Sequence, residues 1–135
     1  MAIDPGSKRV GLALSDETRT IALPYRTLSA EPAESLVDRL VATLREAGAA
    51  RILVGLPKNM DGSSGPEAKA ARALGEQLRS ASGLPVEMVD ERLSSMAAER
   101  HLISSGMKRD KRRQVVDQVA ATLLLQGWLE GAGAR

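Results

Sequence analysis

The sequence predicts an α/β fold: a mixed five-stranded sheet, in the order β-β-β-α-β-α-β-α-α, with helices on both faces. Two short apolar stretches parted by a Pro-Gly turn open the chain, and from residue 36 onward apolar residues at helical spacing alternate with short apolar runs. At 135 residues the chain has the size of one domain, 1–135, with one core. Three strands followed by alternating helix and strand imply a meander on one side of the sheet and parallel crossover strands on the other.

Met1 to Ile3 leads into Asp4-Pro5-Gly6, and Val10-Gly11-Leu12-Ala13-Leu14-Ser15 follows, which fits two strands joined by a turn. Thr20 to Leu28 is rich in strand formers, but Pro24 confines it to a sheet edge or marks a bulge. Leu36, Val37, Leu40, Val41 and Leu44 recur at helical spacing between Pro32 and Gly48. Arg51 to Leu56 reads as a buried strand, Pro57 to Gly65 as a polar connection, and Pro66 to about Ser80 as a helix broken by Gly83-Leu84-Pro85. Val86 to Val89 is a further strand, closed by Asp90-Glu91-Arg92. Ser94 or Ser95 caps an expected helix running to about Ser105. A basic connector, Lys108 to Arg113, then leads into the last helix, Val115 to Glu130.

Composition removes several functions. Without cysteine there is no disulfide framework, thiolate zinc site or cysteine nucleophile. Phe is absent and Trp and Tyr occur once each, which argues against base stacking on aromatic side chains. No apolar run approaches the roughly 20 residues that span a bilayer, and the N-terminus lacks a signal-peptide plan, so the expected location is cytoplasmic, away from membranes. A net charge of +2 is too small to identify a polyanionic partner, so the distribution of charge matters more than its sum.

Asp4, Asp90/Glu91 and Asp117 each fall at the rim of an apolar element. Carboxylates gathered by folding repel one another unless they bind a cation or share a proton, and a hard divalent metal is the simplest answer. In such sheets ligands gather outside the carboxyl ends of the strands, near the point where strand order reverses. Asp4 and Asp90/Glu91 end two strands that share an edge if they run parallel, and a helix crossing that edge could bring Asp117 to it.

Asp4-Pro5-Gly6-Ser7-Lys8-Arg9-Val10-Gly11-Leu12-Ala13, Gly55-Leu56-Pro57, Asn59-Met60-Asp61-Gly62-Ser63, Asp90-Glu91-Arg92-Leu93-Ser94 and Asp117-Gln118-Val119-Ala120-Ala121, in this order, resemble the YqgF (RuvX) family over essentially the whole chain. The resemblance implies an RNase H-like fold and a magnesium- or manganese-dependent nuclease. Its implied substrates are Holliday junctions or the precursor of the small-subunit ribosomal RNA, with a 3′-hydroxyl and a 5′-phosphate left by the cut. The expected mechanism is hydrolysis by water at a two-metal site in which Asp4 would bridge both ions and Asp117 and one of Asp90/Glu91 would complete the ligands. Two departures stand out. Only three residues precede Asp4, so the expected start of the first strand lies upstream of Met1. The fourth strand ends in Gly55-Leu56-Pro57 and supplies no acid, which leaves that part to Asp90 or Glu91.

Each feature also has a plainer reading. Asp4-Pro5-Gly6 is an ordinary turn signature, Asp117 in an early helical turn would ease the macrodipole, and Asp90 and Glu91 would pair with Arg92 at the surface. Lys8 and Arg9 are candidates for phosphate contact, or simply solvated. Lys108, Arg109, Lys111, Arg112 and Arg113 form either a phosphate-binding arm or a solvated loop capped by Asp110. Lys58 and Asn59 belong to a connection long enough to fold over substrate, and Arg92 adds positive charge beside the acids. Symmetric cleavage of a junction needs two active sites and so a homodimer, whereas trimming of RNA needs only a monomer. The alternatives to a nuclease are a non-catalytic RNA-binding factor built on the same scaffold and an actin- or sugar-kinase-like nucleotide binder. The latter architecture requires two such domains.

Overall fold

The computed structural model describes residues 1–57, 65–90 and 109–131, with 109–118 described as helical backbone. β1 (Ala2–Pro5), β2 (Arg9–Ser15) and β3 (Ala22–Ser29) precede a single 3-10 turn (Ala33–Ser35) and α1 (Leu36–Ala47). β4 (Ile52–Leu56), α2 (Pro66–Ser82), β5 (Val86–Asp90) and α3 (Arg109–Glu130) follow. The strands lie in the order β3-β2-β1-β4-β5. β1, β2 and β3 form an antiparallel meander, and β1, β4 and β5 run parallel. The mixed sheet expected from the order of elements is therefore the one observed.

Strand alternation divides the apolar residues between two faces. Ile3, Val10, Leu12, Ile52, Val54 and Leu56 meet Leu40, Val41 and Leu44 of α1 and Ala68, Ala71, Leu74 and Leu78 of α2. Ala2, Ala13, Ala22 and Leu53 meet Ala121, Leu124, Leu125 and Leu129 of α3 on the other. Each fully buried Leu or Ile contributes roughly 1.5–3 kcal/mol, so the first face carries most of the hydrophobic stabilisation.

Local signals end the helices where the sequence indicated. Gly48 at φ 68° and Gly83 at φ 74° close α1 and α2 in the left-handed conformation that glycine tolerates best. Pro66 stands at the first position of α2, where its missing N–H costs nothing. Arg39 fastens the β3–α1 connection, its guanidinium donating to Ser35 Oγ (3.0 Å) and to the carbonyls of Ser29 (2.7 Å) and Pro32 (3.0 Å). Both expectations for Pro24 hold: β3 is an edge strand, and its register shifts opposite Leu12/Ala13.

Several boundaries differ from the sequence reading. β3 starts at Ala22 rather than Thr20, because Asp16 draws the preceding residues into a turn, its carboxylate accepting the backbone N–H groups of Thr20 (2.8 Å) and Ile21 (3.0 Å). α2 runs to Ser82 and β5 to Asp90. The largest correction concerns the basic connector: from Arg109 onward it is helix, forming the opening turns of α3 rather than a loop. Lys, Arg and Gln are good helix formers, and no Gly or Pro interrupts them; the missing apolar periodicity concealed the helix. The helix expected from Ser94 or Ser95 to Ser105 lies outside the described residues. Trp128 packs partly buried against the α3 cluster, its ring 5.4 Å from the Arg51 guanidinium and its Nε1 donating to Glu87.

Candidate functional site

Parallel pairing settles which strand ends lie together. β1 pairs with β4 through Ile3↔Val54, and β4 with β5 through Leu56↔Asp90, so all three carboxyl ends share one edge. From β1 the chain moves outward to β2 and β3, then crosses back to place β4 on the other side of β1. Strand order reverses between β1 and β4, where a ligand crevice is expected. Asp4 stands at this point.

Asp4 is 6% exposed and, with Thr43, one of two buried polar residues among those described. A carboxylate held away from water is costly unless paired or neutralised. Asp4 shares its face of the sheet with Ala2, two residues earlier, and Ala2 belongs to the α3 cluster. Asp4 pairs with Gly11 across β2. One residue beyond the Ile3↔Val54 pair, it also lies beside Gly55, which is paired in turn with Val89. The row across this face is therefore Gly11, Asp4, Gly55, Val89.

Asp90 occupies a different position. It is paired with Leu56, whose side chain belongs to the α1/α2 core, so Asp90 falls on the opposite face from Asp4 and is exposed. Lys8 is exposed in the β1–β2 turn at the carboxyl edge, and Arg9 opens β2 half-buried on Asp4's face.

The course of α3 is fixed by its second half. Gln126 Nε2 donates to the Thr20 carbonyl (3.1 Å) and its Oε1 accepts the Ala22 N–H (2.8 Å) where β3 begins. Trp128 meets Glu87 and Arg51, near the amino ends of β5 and β4. α3 thus runs from the carboxyl edge toward the amino edge. Position 117 precedes Ala121 by one turn, about 6 Å along the axis. Asp4 lies two residues beyond Ala2, roughly 6–7 Å. Ala2 and Ala121 share one cluster, so the backbone carries position 117 and Asp4 from it in the same direction by similar amounts. Because α3 begins at Arg109, position 117 is well past the first turn, where the macrodipole acts, and that plainer reading of Asp117 falls away.

Among the described residues no three acids or histidines gather as a metal cluster. Of the four candidate acids, the structure describes the surroundings of Asp4 and Asp90. Glu91, Lys58, Asn59, Arg92 and Lys108 lie outside the described residues, and Arg109, Lys111, Arg112, Arg113 and Asp117 are placed as helix backbone. The one candidate carboxylate described at this place, that of Asp4, offers the oxygen donors a hard cation takes, and the row around it bears no Cβ on either side. The sequence reading missed the glycines of that row, which are ordinary residues until register sets both beside one acid.

Known proteins resemble this chain over nearly its whole length. The family RuvX, described as Holliday junction resolvase, matches residues 1–131. A Chloroflexus aurantiacus protein named "putative pre-16S rRNA nuclease" is 42% identical over 130 residues, covering 96% of this chain and 85% of that protein. Proteins of the same name from Symbiobacterium thermophilum (44% over 133 residues; 98% and 92% covered) and Acidiphilium cryptum (46% over 134 residues; 96% and 82% covered) are similar throughout. Among solved structures, T. thermophilus RuvC in complex with Holliday junction substrate superposes with a TM-score of 0.57 at 16% identity, covering 97% of this chain and 94% of that one. That likeness is one of fold, and the fold is RNase H-like.

Proposed function

Because the chain belongs to the RuvX family, we propose that it is a metal-dependent nuclease that hydrolyses phosphodiester bonds in structured nucleic acid, precursor 16S rRNA or branched DNA. The observation that carries this reading is the buried carboxylate of Asp4 at the carboxyl end of β1, where strand order reverses. Asp4, Glu91 and Asp117 would hold magnesium or manganese. What argues against Asp90, and so leaves Glu91, is its face: Asp90 shares the α1/α2 face with Leu56, whereas Asp4 lies on the other. Divalent ions held there would supply Lewis acidity, enough to make water a competent nucleophile at neutral pH and to steady the charge on the attacking and departing oxygens.

The chain's own groups do the rest. Burial keeps the Asp4 carboxylate in one position, so little reorganisation is needed when substrate arrives. Lys8 and Arg9 at the same edge, and Arg109, Lys111, Arg112 and Arg113 in the opening turns of α3, would hold flanking phosphates. Such contacts set the register of the strand without reading its bases. Lys58, Asn59, Arg92 and Lys108 are proposed for the same role. RNA trimming requires one such site, and symmetric junction cleavage two, in a homodimer.

The test incubates wild type, Asp4→Asn and Asp117→Asn with labelled junctions, single strands and precursor 16S rRNA in Mg²⁺, Mn²⁺ or Ca²⁺. Cleavage by wild type, lost in both variants with binding retained, supports the reading. Cleavage by both variants ends it, and binding without cleavage by wild type favours a non-catalytic RNA-binding factor.

A further inference from the structure

On the α3 face, two successive rows of the sheet differ in one respect. Nearer the amino edge the row reads Ala13, Ala2, Leu53, with Cβ atoms throughout, and α3 packs on it through Ala121, Leu124 and Leu125. The next row reads Gly11, Asp4, Gly55. Strand propensity does not demand the change, since glycine is a poor strand former. Nor does backbone conformation demand it: among the described residues the glycines at positive φ are Gly48 and Gly83, and Gly11 and Gly55 sit within regular ladders. Glycine weakens a strand interior and, where retained, often marks a close approach of a ligand or another backbone. Two glycines on either side of one buried acid need such a cause.

We infer that Gly11 and Gly55 are positioning residues that keep the sheet bare beside Asp4, so that the scissile phosphodiester of the nucleic acid can settle against the backbone there. This rests on the nuclease reading. Cβ atoms of neighbouring strands on one face stand about 4.5–5.5 Å apart, so a methyl group at position 11 or 55 would occupy space directly beside the Asp4 carboxylate. Gly75 offers a contrast. In α2, far from this row, it lets the helix approach β5, and an added Cβ would lie 3.0 Å from Met88 Sδ. There the glycine serves packing.

The experiment compares Gly11→Ala, Gly55→Ala and Gly75→Ala for thermal midpoint, Mn²⁺ binding and cleavage of branched DNA and precursor 16S rRNA. Alanine is the better strand former, so Gly11→Ala and Gly55→Ala are expected to hold or raise the midpoint and keep Mn²⁺ binding, while kcat/KM falls at least about tenfold, an added barrier of about 1.4 kcal/mol. Gly75→Ala, which gains helix propensity but presses on the flexible Met88 side chain, is expected to leave kcat/KM unchanged whichever way its midpoint moves. A lowered midpoint with intact cleavage in the position 11 and 55 variants would show packing glycines and overturn the inference, as would cleavage at the wild-type rate. If wild type cleaves neither substrate, the nuclease reading fails first and this one with it.

Discussion

The two faces of the sheet are built from different residues. Against α1 and α2 stand Ile3, Val10, Leu12, Ile52, Val54 and Leu56, large aliphatic side chains that fill the space between layers. Against α3 stand Ala2, Ala13, Ala22 and Leu53, and in the same face the row of Gly11, Asp4 and Gly55. A single residue's step along β1, from Ile3 to Asp4, passes from one regime to the other. The difference teaches that one four-residue strand serves two ends: its odd position holds the core, and its even position presents a carboxylate.

Substitutions that strike one face and spare the other would break or sharpen this contrast. The largest effect is expected from Asp4→Asn. Loss of a group that merely orients a metal ligand costs 10–100-fold, so loss of a ligand itself is predicted to lower kcat by about a hundredfold or more, while the midpoint of unfolding holds, because a buried charge has been removed. Leu40→Ala is the converse. Leu40 is wholly buried against the other face, and its truncation is predicted to cost about 2–5 kcal/mol by denaturant titration, with kcat unchanged well below the midpoint.

The smallest effect tests neither face but the turn that starts β3. The backbone N–H of Ile21, the Thr18 hydroxyl and the backbone N–H of Thr20 hold the Asp16 carboxyl below its ordinary value. A group lowered in the folded state adds stability that is present above its unfolded pKa and lost as pH falls through the folded one. Asp16→Asn should therefore melt slightly below wild type at pH 7, and the gap should close in acid; because Asp16 is exposed to solvent, the gap will be small.

Much of this contrast was legible before any coordinates. Pro24, Gly48 and Gly83 punctuate the chain for local steric reasons, and the order of elements was enough to place the meander and the crossovers. What was hidden depended on register or on charge. That Asp90 falls on the α1/α2 face follows from its pairing with Leu56, which no spacing in the sequence expresses. Arg109 to Arg113 forms helix by propensity without an apolar stripe, and so its sequence reads as a connector. For the same reason the sequence sets Asp117 in an early turn, whereas a helix begun at Arg109 puts position 117 further in. The glycines beside Asp4 were visible, but their meaning lay in two strand pairings at once.

The central claim is that the first strand and the last helix bring acids to one metal site on the α3 face. Titration of Mn²⁺ followed by the loss of the free-ion paramagnetic signal tests it most directly. Asp4→Asn and Asp117→Asn are each predicted to weaken binding by about tenfold or more, and Asp90→Asn to bind as wild type does. Undiminished binding by Asp117→Asn, or its loss in Asp90→Asn with Asp4 intact, would contradict the account.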